Sequence, residues 1–396
     1  MCGIAGFLDF SLHAGLPEQL QDVSNSLRHR GPDSGGCWFE KGNILGLAHR
    51  RLSILDLSDA GAQPMVSHCG RYVIVYNGEI YNSSELRAKL EQSGGQTKWS
   101  GHSDTEVLLN GVAKWGIDKC LEFCRGMFAF AIWDRHSRVL SLARDRLGEK
   151  PLYFFSSNSK FLFASELKAL LKFRSIQKNI DFESLSLFLQ FSYVPAPLSI
   201  FKDVKKLMPG QIVEINFSKR KTNLRTYWDL WECTKTEHIS NQRVEVRCID
   251  QVERLLEKSV CQQMVADVPV GAFLSGGVDS SLITCLMQKN RDLPINTYTI
   301  GYEDEDYDEA VNARQTSKKI GTNHHELFLS PQDLLATVPK IPDIYDEPFA
   351  DSSQIPTYLL SEFAKTDLKV CLSGDGGEEL FSGYNRHVFA STRWNS

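Results

Sequence analysis

In the first half of the chain, hydrophobic positions fall into short runs bounded by polar or turn residues, at 71–76, 127–133, 139–143, 152–155 and 161–164. Runs this short, rich in β-branched and aromatic side chains, predict strands of antiparallel sheets. Leu20, Val23 and Leu27 recur at helical spacing after Pro17, and Ser103 with Glu106 forms a capping-box pattern ahead of Val107, Leu108 and Val112. Helices are therefore expected to pack on sheet faces.

From about residue 246 the rhythm changes. Ile249, Val252, Leu255, Leu256, Val260 and Met264 predict a helix, followed by an apolar run at 270–274, a second helical stretch and further runs at 295–300, 325–329 and 369–372. Strands alternating with helices predict an α/β domain built on a doubly wound parallel sheet. The polar stretch 232–243 reads as the linker, which sets expected domains at 2–228 and 246–396 with a connection at 229–245.

Composition narrows the function. A chain of 396 residues with 42% hydrophobic content is long enough for two or three cores. Lys plus Arg 44 against Asp plus Glu 49 gives a net charge of −5, without a basic run, so no nucleic-acid partner is expected. The chain has no leader-like start and no apolar run approaching about 18 residues, so no membrane partner and a cytoplasmic location are expected. The ten cysteines are scattered and form no Cys-x-x-Cys pair, which points away from a zinc site or a disulfide framework.

Cys2 follows the initiator Met1. Removal of Met1 would leave a first residue carrying both a thiol and a free α-amine, so that nucleophile and base share one residue. Asn77 and Gly78, at the end of an expected strand, offer a side-chain and a backbone N–H to a tetrahedral oxyanion. Arg51 can grip an α-carboxylate, while Asp104 and Glu79 can hold an α-ammonium, the charge pattern of a free amino acid. Further along, Ser275, Gly276, Gly277, Val278, Asp279, Ser280 and Ser281 link an expected strand to an expected helix. Such a loop cradles phosphate through backbone N–H groups, hydroxyls and the helix dipole, and Asp279 suits magnesium. A second glycine-rich acidic loop, Ser373 to Glu379, repeats this logic at another strand end.

With these segments in place, residues 2 to about 215 resemble the N-terminal-nucleophile (class II) glutamine amidotransferases. The resemblance implies an αββα sandwich, two antiparallel sheets between helices, with Cys2 as nucleophile and its α-amine as base. It also implies Asn77 and Gly78 as oxyanion hole, and Arg51, Ile54, Asn77, Gly78, Glu79 and Asp104 as glutamine contacts. Segments 275–281, 346–353 and 372–381 resemble the PP-loop domain of the glutamine-hydrolysing asparagine synthetases. That likeness implies ATP and Mg2+, with Ser275, Gly276, Gly277, Asp279 and Ser280 at pyrophosphate and metal. Leu274, Ile300, Ser373 and Gly374 would line the adenosine site, Asp375 would assist the intermediate, and Glu378 would be a second metal ligand where the family has Asp.

The implied reaction is amidation of a carboxylate, aspartate by family, through an acyl-adenylate with release of AMP and pyrophosphate. The expected partners are glutamine, ATP and aspartate, and the resemblance is compatible with a homodimer. The chain ends at Ser396, short of a helical portion that carries a lysine in the family. The sequence is therefore expected to be a fragment or a form deficient in synthesis. Two rival readings remain: a glutaminase whose nucleotide domain senses or scaffolds, and a non-catalytic ATP sensor.

Overall fold

Strands of the first part of the chain are β1 (Gly3–Asp9), β2 (Ser34–Phe39), β3 (Leu45–Arg51), β4 (Met65–Val66), β5 (Tyr72–Ile80), β6 (Gly126–Asp134), β7 (Val139–Arg144), β8 (Tyr153–Ser156), β9 (Lys160–Ala164), β10 (Val204–Lys206), β11 (Gln211–Asn216) and β12 (Lys221–Thr226). They form two six-stranded sheets, ordered β10-β8-β9-β1-β3-β2 and β12-β11-β7-β6-β5-β4, in which all the paired neighbours in register are antiparallel. The structure, a computed structural model, describes the chain except residues 12–14, 93–97, 236–244, 303–308 and 395–396.

Side-chain alternation stacks the layers. On β5, Val73 and Val75 join a core shared with Ile4 and Leu8 of β1, whereas Ile74 and Tyr76 join the core beneath helices Ser83–Gln92, Asp104–Trp115 and Ile117–Phe123. On β1 the opposite set, Ala5 and Phe7, packs with Leu20 and Val23 of helix Leu16–Ser26 and with helix Leu167–Leu170. Successive strand residues point to opposite faces, so each sheet buries one face on the other sheet and one on helices. The expected αββα sandwich is present. Its four layers rest on three hydrophobic cores.

The pleat also places the polar residues. Positions 73, 75, 77 and 79 share the inter-sheet face of β5. Positions 45, 47, 49 and 51 share that of β3, and 2, 4 and 8 that of β1. His49 confirms the arrangement, since its Nε2 lies 3.1 Å from the Tyr76 carbonyl.

By contacts the chain divides into two compact units, Met1–Ser240 with Pro342–Ala350, and Asn241–Ile341 with Asp351–Ser396. Segment Pro342–Ala350 is tied into the first unit by ion pairs Lys206–Glu347 at 2.5 Å and Lys168–Asp346 at 3.3 Å. Of the expected linker, 236–244 lies outside the described residues, and Leu230–Thr234 is a short helix capped by Asp229.

In the second unit, β13 (Val270–Phe273), β14 (Asn296–Tyr302), β15 (Asn323–Leu329) and β16 (Val370–Leu372) form a parallel sheet ordered β15-β14-β13-β16. One face packs Val260, Met264, Leu286 and Met287 from helices Glu245–Gln263 and Val278–Lys289 and the residues near them. The other packs Ala364 and Leu360 of helix Gln354–Ala364 against Tyr298. This is the doubly wound arrangement. The order reverses between β13 and β16, a switch point where open α/β sheets bind ligands beyond their strands' carboxyl ends. Among the described residues, no helix is long and apolar enough to cross a membrane.

One local expectation is met only by half. Ser103 caps helix Asp104–Trp115 by accepting from the Glu106 N–H. The Glu106 carboxylate instead accepts from the N–H groups of Ser100 at 2.8 Å and Gly101 at 3.0 Å, so it fastens the approach to the helix rather than closing a capping box.

Candidate functional site

At one end of the inter-sheet layer, alternation brings Cys2, Arg51, Asn77 and Glu79 onto facing surfaces. The Cys2 sulfur accepts from the Leu52 N–H at 3.4 Å and lies 3.7 Å from the Leu52 carbonyl, and its own carbonyl accepts from Arg30 Nε at 2.8 Å. Burial pushes the Cys2 thiol up, against which the Leu52 N–H and the terminal amine act. The amine itself, here that of Met1, is lowered by burial to about 5, with Arg30 and Lys150 acting in the same direction. Burial thus favours the neutral forms of both groups.

Asn77 is 0% exposed, and neither Oδ1 nor Nδ2 of its side chain has a hydrogen-bond partner among the described residues. A buried amide left in that state costs about 1–3 kcal/mol. Beside it, a Cβ on Gly78 would lie 2.2 Å from the Met127 carbonyl oxygen, so only glycine lets β5 and β6 approach this closely. The two donors expected to serve an oxyanion are therefore adjacent, and the side-chain donor is unspent.

The charged residues are set differently. Asp104 is buried at the head of its helix, where one carboxylate oxygen accepts from the Tyr76 hydroxyl at 2.7 Å and the Ile80 N–H at 2.9 Å. Burial raises its carboxyl. Glu79 is raised to about 7 by burial and then by Asp104, and its carboxylate makes no hydrogen bond among the described residues. Arg51 donates to the carbonyls of Ser58 at 2.9 Å, Leu55 at 3.4 Å and Asp56, so it organises the loop that follows β3 and includes Ile54. Three of its five N–H groups are spent there, leaving Nε–H and one Nη1–H for a carboxylate.

In the second unit, loop Leu274–Gly277 follows β13 and loop Ser373–Gly376 follows β16, one on each side of the switch point. The loops touch. A Cβ on Gly374 would lie 2.7 Å from the Ser280 N, and one on Gly377 would lie 2.3 Å from Asp279 Oδ2. Gly276 holds φ +80° with its backbone against Asn312 and Ala313, a conformation and an approach that favour glycine.

Ser275 and Ser280 join hydroxyls at 3.0 Å, and the Ser275 hydroxyl also accepts from the Gly277 N–H at 3.3 Å. Ser373 donates to the Asp375 carboxylate at 3.0 Å. Leu274 is 1% exposed, which leaves its backbone as the part able to meet a ligand, and Ile300 lies two residues past the Phe273–Tyr298 pairing. The Asp279 carboxylate makes no hydrogen bond or ion pair among the described residues, and Glu378 lies in the short helix Gly377–Phe381. Magnesium is held by one or two carboxylates plus phosphate and water oxygens, and these two carboxylates are of the kind it takes.

Three further charged residues belong to the first site, and two of them, Lys150 and Glu166, escaped the sequence reading. Arg30 bridges the Cys2 carbonyl and Glu166 Oε1, the latter at 2.8 Å, and Lys150 Nζ lies 3.2 Å from the Met1 sulfur. Arg30 had a signal in its placement beside Gly31 and Pro32. Lys150 and Glu166 reach Met1 and Arg30 across more than 130 residues of chain, which no local pattern encodes.

Comparison with known proteins adds to this geometry. Residues 1–228 match the family described as glutamine amidotransferase domain, and residues 251–396 match asparagine synthase. The chain is 37% identical to a putative asparagine synthetase [glutamine-hydrolyzing] 2 of Methanocaldococcus jannaschii, over 98% of this chain and 76% of that protein. It is 36% identical to asparagine synthetase [glutamine-hydrolyzing] 1 of Bacillus subtilis over 97% of this chain, and 30% identical to amidase chry2 of Gibberella zeae, also over 97%. The chain spans 59% and 60% of the lengths of these last two.

Proposed function

Because the chain belongs to the glutamine-hydrolysing asparagine synthetase family of enzymes, we propose that it releases ammonia from glutamine at Cys2 and uses ATP at the loops after β13 and β16 to amidate a carboxylate. The observation that carries the first half is the partnerless amide of Asn77. A polar group kept in that state at the end of β5, next to the Gly78 N–H, is accounted for by an oxyanion that forms there during reaction.

After loss of Met1, the Cys2 amine takes the thiol proton and the thiolate attacks the side-chain carbonyl carbon of glutamine. The carbonyl π electrons move to oxygen, which receives hydrogen bonds from Asn77 Nδ2 and the Gly78 N–H. The proton passes from the amine to the leaving nitrogen, the C–N bond breaks, and ammonia departs, leaving a thioester. Water, deprotonated by the same amine, cleaves the thioester to glutamate and restores the thiol. Arg51 orients the glutamine α-carboxylate through its two remaining N–H groups. Glu79 and Asp104 draw the α-ammonium, and Ile54 flanks the substrate.

At the second site, the Gly276 N–H and the head of helix Val278–Lys289 receive the phosphates of ATP, joined by the Ser275 and Gly277 N–H groups when their bonds to the serine hydroxyls open. Asp279 and Glu378 are the side chains that would hold Mg2+, which when bound supplies charge neutralisation to pyrophosphate as it leaves. Asp375 and the neighbouring Ser373 and Gly374 stand where the acyl-adenylate would form, and ammonia displaces AMP from it. Aspartate is the acceptor we assign from the family.

The test is a product balance on the purified chain. Glutamate, pyrophosphate and AMP are expected in equal amounts with glutamine, ATP, Mg2+ and aspartate together. Glutamate without pyrophosphate would leave a glutaminase with a nucleotide-sensing domain, and neither product would remove the enzymatic reading. Cys2→Ala should lower glutamine hydrolysis at least about 10³-fold, because no second nucleophile can take over the attack.

A further inference from the structure

Lys150 lies in the turn between β7 and β8 and is 5% exposed. A buried ammonium is ordinarily paired with a carboxylate or with several acceptors. Here no carboxylate forms an ion pair with it among the described residues, and Nζ makes a single hydrogen bond, to the Met1 sulfur at 3.2 Å. A thioether is a weak acceptor. Arg30 Nη2 points at the same sulfur from 3.7 Å, but Arg30 is neutralised by Glu166 at 2.8 Å and is also spent on the Cys2 carbonyl. Two cations thus converge on the first residue, and only Lys150 keeps its charge uncompensated by contact.

The groups that bear on this cation are Glu149, Glu79, Arg30 and Asp145. The Asp145 carboxylate is occupied by the N–H groups of Phe128, Leu147, Glu149 and Lys150. Those that bear on the terminal amine are Cys2, Arg30, Lys150 and Glu79. Glu79 in turn faces Asp104, Lys150 and the terminal amine. Lys150, buried, and Glu79, half-buried, are therefore opposite charges bearing on the same end group, and neither makes an ion pair among the described residues.

We propose that Lys150 is a positioning residue of the glutamine site: once Met1 is gone, its ammonium faces the new terminal amine and Glu79, holding the amine as free base and the carboxylate charged. This rests on the function proposed above for Cys2. Met1, while present, holds the Lys150 ammonium at its sulfur.

The sign follows from Coulomb's law. Removing a nearby positive charge makes the amine easier to protonate and the Glu79 carboxyl harder to ionise, and both changes move the acidic limb of activity to higher pH. With chain shown by intact mass to lack Met1, glutaminase kcat/KM is measured from pH 5.5 to 9 for wild type, Lys150→Met and Lys150→Arg. The acidic limb of Lys150→Met should move up by about one pH unit, so that its roughly tenfold deficit at pH 6 shrinks by pH 8.5. Lys150→Arg should restore the wild-type limb.

A second readout is independent of turnover. The rate of Cys2 alkylation by iodoacetamide, followed on the amino-terminal peptide, should show the same displacement with pH. Superimposable wild-type and Lys150→Met profiles, or a loss of equal size at every pH that Lys150→Arg shares, would overturn the proposal. If wild type hydrolyses no glutamine, the reading of Cys2 fails, while the alkylation profile still decides the role of Lys150.

Discussion

The two sites differ in how much of their chemistry is assembled in advance. Around the half-buried Cys2 of the proposed glutamine site, several polar groups are walled in: Asn77 is 0% exposed, and Asp104 and Lys150 are each 5% exposed. In the nucleotide loops, Ser275, Gly277 and Asp375 are exposed and the serine hydroxyls are spent on one another. Neutral amide hydrolysis creates charge only at its transition state, so the donors must be fixed and dry beforehand. ATP arrives already charged, and a loop of backbone N–H groups beside a free carboxylate meets it without a closed cavity.

The largest effect should come from the walled-in site. Asn77→Ala should lower glutamine kcat about 10²–10³-fold with little change in KM, because the lost bond exists chiefly to the oxyanion. Its melting temperature should not fall, since the substitution removes two partnerless buried atoms along with some volume. A drop in KM-linked binding with kcat preserved would place Asn77 on the ground-state substrate and weaken the contrast.

The next effect separates the sites. Gly374→Ala would set a methyl 2.7 Å from the Ser280 N and 3.0 Å from Asp279 Cβ, both of which stand at the head of helix Val278–Lys289 that follows the loop after β13. Overpacking of about 1–3 kcal/mol corresponds to roughly 5- to 150-fold weaker ATP-dependent pyrophosphate release. Glutamine hydrolysis in the absence of nucleotide should stay within about twofold, as a local packing cost requires. Equal loss of both activities would mean that the two sites do not stand on separate packing.

Much of this was legible from pattern. Strands β5 and β6 carry unbroken apolar or aromatic runs, and β7 one interrupted by Ser141, because both of their faces are buried, one on a sheet and one on helices. By contrast β2 reads Ser34, Gly35, Gly36, Cys37, Trp38, Phe39, and β12 is polar and almost wholly exposed. Edge strands with one neighbour need no hydrophobic alternation, so composition does not announce them. At the sites, Cys2, Asn77, Gly78 and the two glycine-rich loops could be picked out because backbone chemistry demanded those residue types. Lys150 could not, since its meaning lies in an approach to Met1 made by folding. Segment Pro342–Ala350 likewise lies beyond β15 in the chain yet packs with the first unit through Glu347 and Asp346.

The smallest predicted effect concerns pH. Glu79 is held up to about 7 by burial and by Asp104, so it is neutral below that pH and ionised above it. Only the ionised form attracts the glutamine ammonium, hence KM for glutamine should rise as pH falls through 7, by about tenfold between pH 8 and pH 6. Glu79→Gln keeps the shape but cannot titrate, and its KM should be high and flat over that range. A wild-type glutamine KM that stays flat over that range would show that Glu79 is solvated when substrate binds, and the contrast between a closed site and an open one would then have to rest on Asn77 alone.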